Sequence, residues 1–158
     1  MKGFSGFKSP LKQDEKKWEY YVVDVDGKTR EETLKEQIEN MKLLAEKIFE
    51  PLREWVGGPI RINSFFRCPE LNKAIGGSSK SQHCKGQAMD IDDTSCHKTN
   101  AEMFKFIKDE LEFDQMIWEF GDDDNPNWVH VSFVSEDENR NRCLKAYKDK
   151  GKTKYMVI

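Results

Sequence analysis

Apolar and polar positions change their period several times along this chain, and each change marks an element. Trp18-Glu-Tyr-Tyr-Val-Val-Asp-Val25 alternates weakly and is rich in aromatic and β-branched residues, which predicts a strand. Before it, residues 1–17 are rich in Gly, Ser, Pro and Lys and read as an extended arm; after it, Asp26-Gly27 makes a turn. From Glu31 to Trp55 apolar residues recur at helical spacing: Leu34, Ile38, Met41, Leu44 or Ala45, Ile48 and Leu52, with Lys and Glu on the other face. The pattern predicts one long amphipathic helix, capped by Thr29, broken or kinked near Pro51 and stopped by Gly57-Gly58-Pro59.

Beyond that stop the period shortens to two. Ile60–Phe66 predicts a short strand, and Pro69 with Glu70 opens a short helix through Ala74. Gly76-Gly77-Ser-Ser-Lys80 reads as a flexible loop. Gln87–Asp92 predicts a strand with Ala88, Asp90 and Asp92 on one face. Ala101–Leu111 predicts a second helix, started by Thr99 or Asn100. Phe113–Phe120 and Trp128–Phe133 are two further strands, joined by an acidic, turn-rich loop over 121–127. The tail from Ser135 is polar, with a final strand at Tyr155–Ile158. Helices first and mostly strands afterwards predict an α+β fold with an antiparallel sheet. We place residues 18–158 in a single domain.

Composition narrows the class. At 158 residues the chain can bury a real core without staples. The formal net charge of −3 argues against a nucleic-acid binder, a class usually basic along one face. The lysines of the tail (Lys145, Lys148, Lys150, Lys152, Lys154) read as a solvated local exception. No apolar run approaches the ~18–20 residues of a membrane span. Met1–Lys8 lacks an apolar h-region, so synthesis in the cytoplasm is expected. Cys68, Cys84, Cys96 and Cys143 show no CxxC pair and are expected to be free, semi-buried thiols.

The candidate chemistry lies in two segments that hold two of the three histidines: Ser81-Gln-His83-Cys-Lys-Gly-Gln-Ala-Met-Asp90-Ile and Trp128-Val-His130. Two imidazoles and a carboxylate are a ligand set that a catalytic zinc uses while keeping a position for water. His83, Asp90 and His130 are therefore the candidate ligands, with Asp92 as competitor for Asp90 on the same strand face. Zinc acidifies its water, but a general base must still take the proton. Glu119, on a strand expected to pair with that of His130, is the candidate; an ordinary exposed strand residue is the alternative. Arg67 is the candidate to bind a carboxylate or polarise a carbonyl, against a simple pairing with Glu70. Ser81 and Gln82, beside His83, and Trp128, which shares a face with His130, complete the substrate-binding set. His97 reads as structural. Asp122-Asp-Asp-Asn125 lacks the spacing of a calcium loop, and Cys84 beside His83 is no nucleophile signature.

These residues resemble the D-alanyl-D-alanine carboxypeptidase family of zinc metallopeptidases, which includes phage endolysins and murein endopeptidases. The resemblance rests on Phe66-Arg67-Cys-Pro, Asn72, Gly76-Gly77, Ser81-Gln-His83-x-x-Gly86-x-Ala88-x-Asp90-Ile91, Phe113-Asp-Gln-Met-Ile-Trp-Glu119-Phe and Trp128-Val-His130-Val-Ser, over roughly residues 35–134. It implies a fold with helices packed on one side of the sheet, shared with the hedgehog signalling domain. It also implies one zinc held by His83, Asp90 and His130, Glu119 as acid/base and Arg67 as substrate-binding arginine. Some members place the glutamate three residues before the last histidine, where this chain has Asn127. The expected function is zinc-dependent hydrolysis of a peptide bond in the peptidoglycan stem by a monomeric protein, delivered to the wall through a holin-made hole or by a virion. The rivals are a non-catalytic hedgehog-like zinc module and a cytoplasmic dipeptidase acting on free D-alanyl-D-alanine.

Overall fold

The period-two segments pair into one sheet in the computed structural model, which describes residues 27–158. The expected arm over 1–17 and strand over 18–25 lie outside those residues. The strands are β1 (Arg61–Ser64), β2 (Ala88–Asp92), β3 (Gln115–Glu119), β4 (Trp128–Ser132), β5 (Arg142–Asp149) and β6 (Lys152–Val157), in the order β1-β2-β4-β3-β5-β6. All pairs are antiparallel except β3 with β5. The α+β expectation holds, with that one parallel pair as a refinement.

The chain divides into two compact units, residues 1–36 and Gln37–Ile158. In the first, Thr29 caps helix α1 (Arg30–Leu44) as expected: its Oγ1 accepts from Glu32 N at 3.1 Å, and its own N donates to Glu32 Oε2 at 2.8 Å. All that follows concerns the second unit.

The long helix is interrupted near Pro51, as expected. It widens one turn earlier, into a π-helical segment over Ala45–Phe49, and α2 (Glu50–Val56) follows with Pro51 in its first turn. Glu50 N reaches back five residues, to Ala45 O. The reason is steric: a proline ring inside an α-helix clashes with the carbonyl four residues back, and a widened turn before it relieves that clash. Leu44, Ile48 and Leu52 are fully buried as the stripe predicts, whereas Ile38 is exposed.

The core lies on one face of the sheet. Leu44, Ile48, Leu52 and Val56 pack with Met103, Phe104 and Ile107 of α4 (Asn100–Glu110) against Met89, Ile91, Met116, Val129 and Val131. Thr99, the first of the two proposed starts, is the N-cap of α4 and forms a capping box with Glu102. His97 keeps its structural reading: its ring lies where a Cβ on Gly58 would sit, 2.1 Å from the nearest ring carbon.

The polar tail is the main correction. Instead of one final strand it forms the β5–β6 hairpin, turned at Lys150-Gly151, both with positive φ (49° and 79°), as a two-residue I′-type turn requires. Its lysines are not uniformly solvated: Lys145 Nζ sits 5.8 Å over the Trp118 ring and pairs with Asp123, and Lys148 Nζ sits 5.1 Å over Phe120. All four cysteines are free, with Cys143 buried and Cys96 exposed rather than semi-buried. Among the described residues no helix is long and apolar enough to cross a membrane.

Candidate metal centre and its cleft

Residues directly opposite in a sheet share a face, so register decides what meets what. Asp90 lies opposite His130 on one side and Ser64 on the other, His130 lies opposite Ile117, and Glu119 lies opposite Trp128. Asp90, His130, Trp128 and Glu119 therefore project from the face away from the helix-packed core. They line an open cleft of about 1760 Å³, walled also by Phe66, Leu71 and Ile75 around the short helix α3 (Pro69–Ala74).

His83 reaches this face from a 3₁₀ turn, Gln82–Lys85. Gln37 Nε2 donates to Cys84 O at 3.0 Å and Asn40 Nδ2 to Lys85 O at 2.9 Å, which ties the turn to α1 from behind. Gly86 ends the turn at φ +70°, and a Cβ there would lie 2.5 Å from Gln37 O, so no other residue fits this seat. His83 Nδ1 donates to Phe65 O at 2.7 Å, which fixes the tautomer and leaves Nε2 with its lone pair towards the cleft.

His83 Nε2 lies 3.3 Å and His130 Nδ1 2.9 Å from Asp90 Oδ1. One ligand atom from each of the three residues lies within 4.8 Å of the other two. Donors bound tetrahedrally to zinc at about 2.0–2.2 Å stand roughly 3.4 Å apart, so this nitrogen–nitrogen–oxygen set fits that ion. Asp92 is not part of the set, because its Oδ1 accepts from Asn100 Nδ2 at 2.9 Å.

The charge pattern is uneven. Burial opposes ionisation of Asp90, but hydrogen bonds from His130 and His83 outweigh it and hold the carboxyl well below its ordinary range. Arg67 pairs with Asp90 rather than Glu70: Nη2 donates to Asp90 Oδ2 at 3.3 Å and Nε to Ser64 Oγ at 3.2 Å. For Glu119, only 9% exposed, burial and the nearby negative charge of Asp90 push the pKa up to about 7. That value suits a group that must both take and give a proton near neutrality.

The remaining predicted site residues also reach the cleft. Ser81 lines it, and Trp128 packs edge-on to Phe120 with centroids 5.5 Å apart. Gln82 lines it too, with Nε2 donated to Asp114 Oδ2 at 2.8 Å. The flexible loop expected at Gly76–Lys80 is held by Asn72, whose Nδ2 donates to Ser78 O at 2.7 Å and whose side chain occupies the space beside Gly77. The acidic loop is a solvated turn: residues 121–125 are exposed, and Asp122 Oδ1 accepts from the backbone N–H groups of Asp124 and Asn125. Sequence reasoning missed Asp114, Arg140, Arg142 and Tyr155, which also border the cleft; the signal for Asp114 was its place in Phe113-Asp-Gln, at the entry to the strand that carries Glu119.

Against known proteins, the family described as Peptidase M15 matches residues 19–132, which include every candidate ligand and Glu119. No curated protein matches the chain.

Proposed function

Starting from a chain that belongs to the peptidase M15 family and is thereby a zinc metallopeptidase, we propose that its substrate is the stem peptide of bacterial peptidoglycan, in which it cleaves one peptide bond. The observation that carries this reading is the placement of a buried Glu119 and the His83–Asp90–His130 set on one face of the sheet, in a cleft open enough for an extended chain. The sequence resemblance to the D-alanyl-D-alanine carboxypeptidases supplies the substrate class.

His83 Nε2, Asp90 Oδ1 and His130 Nδ1 would hold the zinc, which when bound supplies Lewis acidity for the carbonyl and for water. Glu119 takes the proton of the attacking water at its carboxylate and delivers it to the leaving amine, so its charge is restored at the end of the cycle. Arg67 is held against Asp90 through Nη2, and its remaining N–H groups are offered to a substrate carbonyl or carboxylate in the cleft. Trp128, Phe66, Leu71 and Ile75 give apolar surface for the peptide's side chains. The protein acts as a monomer and reaches the wall with the help of a lysis pore or a virion.

Elemental analysis paired with digestion tests this. Purified wild type carries one zinc per chain and releases new amino groups from intact sacculi, His83→Ala loses the metal, and Glu119→Gln keeps it but releases none. Preference for free D-alanyl-D-alanine over sacculi would replace the wall substrate with the dipeptide. A zinc-loaded wild type inert on both would overturn the proposal in favour of a binding module.

A further inference from the structure

The cleft runs past the ligand set, and its two ends differ in chemistry. Towards Glu119 it is aromatic, with Trp128, Phe120 and Tyr155. Away from Glu119, beyond His130, comes Ser132, two places further along β4, and there the lining turns cationic. Asp114, 2% exposed, lies beneath, with Ser132 Oγ donating to its Oδ2 at 3.4 Å. Arg140 grips this carboxylate by one edge: Nε donates to Oδ1 at 2.7 Å and Nη2 to Oδ2 at 2.6 Å. The Arg140 backbone N–H and Gln82 Nε2 donate to it as well, at 3.2 and 2.8 Å. Burial opposes ionisation of Asp114, but the bonds from Arg140 and Gln82 prevail and keep it an anion.

An arginine held this way is not free to collapse elsewhere. Its side chain is still 51% exposed, it lines the cleft, and its Nη1 has no partner among the described residues. Arg142 lies opposite Gln115, hence on the cleft face, and its side chain has no carboxylate partner among the described residues. Glu138, the acid nearest in sequence, also lines the cleft, where it accepts from Ser135 Oγ at 3.0 Å and pairs with neither arginine among the described residues. A guanidinium fixed by its Nε–Nη2 edge binds a further carboxylate without first losing rotamer freedom.

We propose that Arg140, anchored by Asp114, and Arg142 form a carboxylate subsite that selects acidic peptides whose carboxylate lies about two to four residues from the bond that is cut. Arg142 shares a row with Gln115 and Ser132, two places along the strands from the row of His130. That is ~7 Å along the sheet and two strand spacings of about 4.8 Å across it, part of which the arginine side chain spans. The inference rests on the peptidase reading of this cleft and names the substrate feature it recognises.

The test is calorimetric titration of zinc-loaded Glu119→Gln protein with extended peptides, matched in pairs that carry a carboxylate or a carboxamide two, three or four residues to either side of the scissile bond. The acid binds roughly tenfold more tightly, as one charge-assisted pair provides. The preference falls to about threefold or less in Arg142→Gln and shrinks in Arg140→Lys, which keeps the charge but not the fork. Arg142→Gln removes no internal side-chain bond, so the test stays informative even where Arg140→Lys unfolds. Equal binding of both members of each pair, or binding of neither, overturns the subsite. Wild-type hydrolysis separates the two ideas: equal cleavage of acid and amide leaves the peptidase standing and the subsite fallen, whereas no cleavage with selective binding does the reverse.

Discussion

Along β4, Val129 and Val131 are fully buried against the helices, while Trp128 and His130, on the alternate positions, line the cleft. The same alternation runs through β2, where Met89 and Ile91 enter the core and Asp90 meets the two histidines. On the helix side, burial is non-directional, and stabilisation scales with apolar area removed from water. On the cleft side, three polar side chains lose most of their water, and directional hydrogen bonds with one another and with Phe65 O offset that loss. One face holds the sheet rigid, and the other uses that rigidity to hold groups that would rather be solvated. Substitutions on the two faces therefore separate stability from activity.

The largest separation is expected at Glu119. Glu119→Gln lowers turnover by about 10²–10⁴-fold, the usual worth of a general acid–base, while the thermal midpoint and zinc content hold; a rate within threefold of wild type, by any peptide assay, would remove Glu119 from the chemistry. On the core face Ile91→Ala does the opposite. It costs about 2–5 kcal/mol in a denaturant titration and leaves zinc stoichiometry intact in the folded fraction, although Asp90 is the preceding residue.

Glu119 also sharpens the contrast through pH. Its folded pKa of about 7 lies above its ordinary 4.5, so the folded state holds a proton that the unfolded state releases. The contribution of Glu119 to the stability of the metal-free protein is thus full below pH 4.5 and is lost as pH rises through 7, by on the order of 3 kcal/mol. Glu119→Gln flattens that slope; identical pH profiles for the two proteins would show the carboxyl to be solvated. Chelation acts on the same face alone. With free zinc at about 100 times its dissociation constant, stripping the metal costs roughly 2.7 kcal/mol, and His83→Ala loses this response to chelator. The smallest effect belongs to the helix side: Thr99→Ala, which breaks the capping box of α4, costs about 1 kcal/mol and leaves turnover unchanged.

The helix stripe, the strands and the ligand types were legible because each depends on neighbours in sequence. The failures are long-range in origin. Ile38 continues the helical stripe of Leu44, Ile48 and Leu52, yet it is exposed, since periodicity marks a face without saying how far the opposing sheet extends. Strand β5 was hidden by its lysines: Lys145, opposite Trp118, sets its ammonium over that ring and pairs with Asp123, so a charged position counts as a partly buried one. The Asp114–Arg140 pair spans residues on either side of two strands, and no local pattern announces it.

By itself the sequence determined the period of most segments and the supply of two imidazoles and several carboxylates, because these are properties of single residues and their near neighbours. Only the tertiary structure decided which carboxylate serves. Register sets Asp90 opposite His130 and hands Asp92 to Asn100, and it sets Arg67 on Asp90 instead of Glu70. A shift of one residue would turn every cleft side chain into the core, so the pairing between strands, not the composition of any one of them, makes the site.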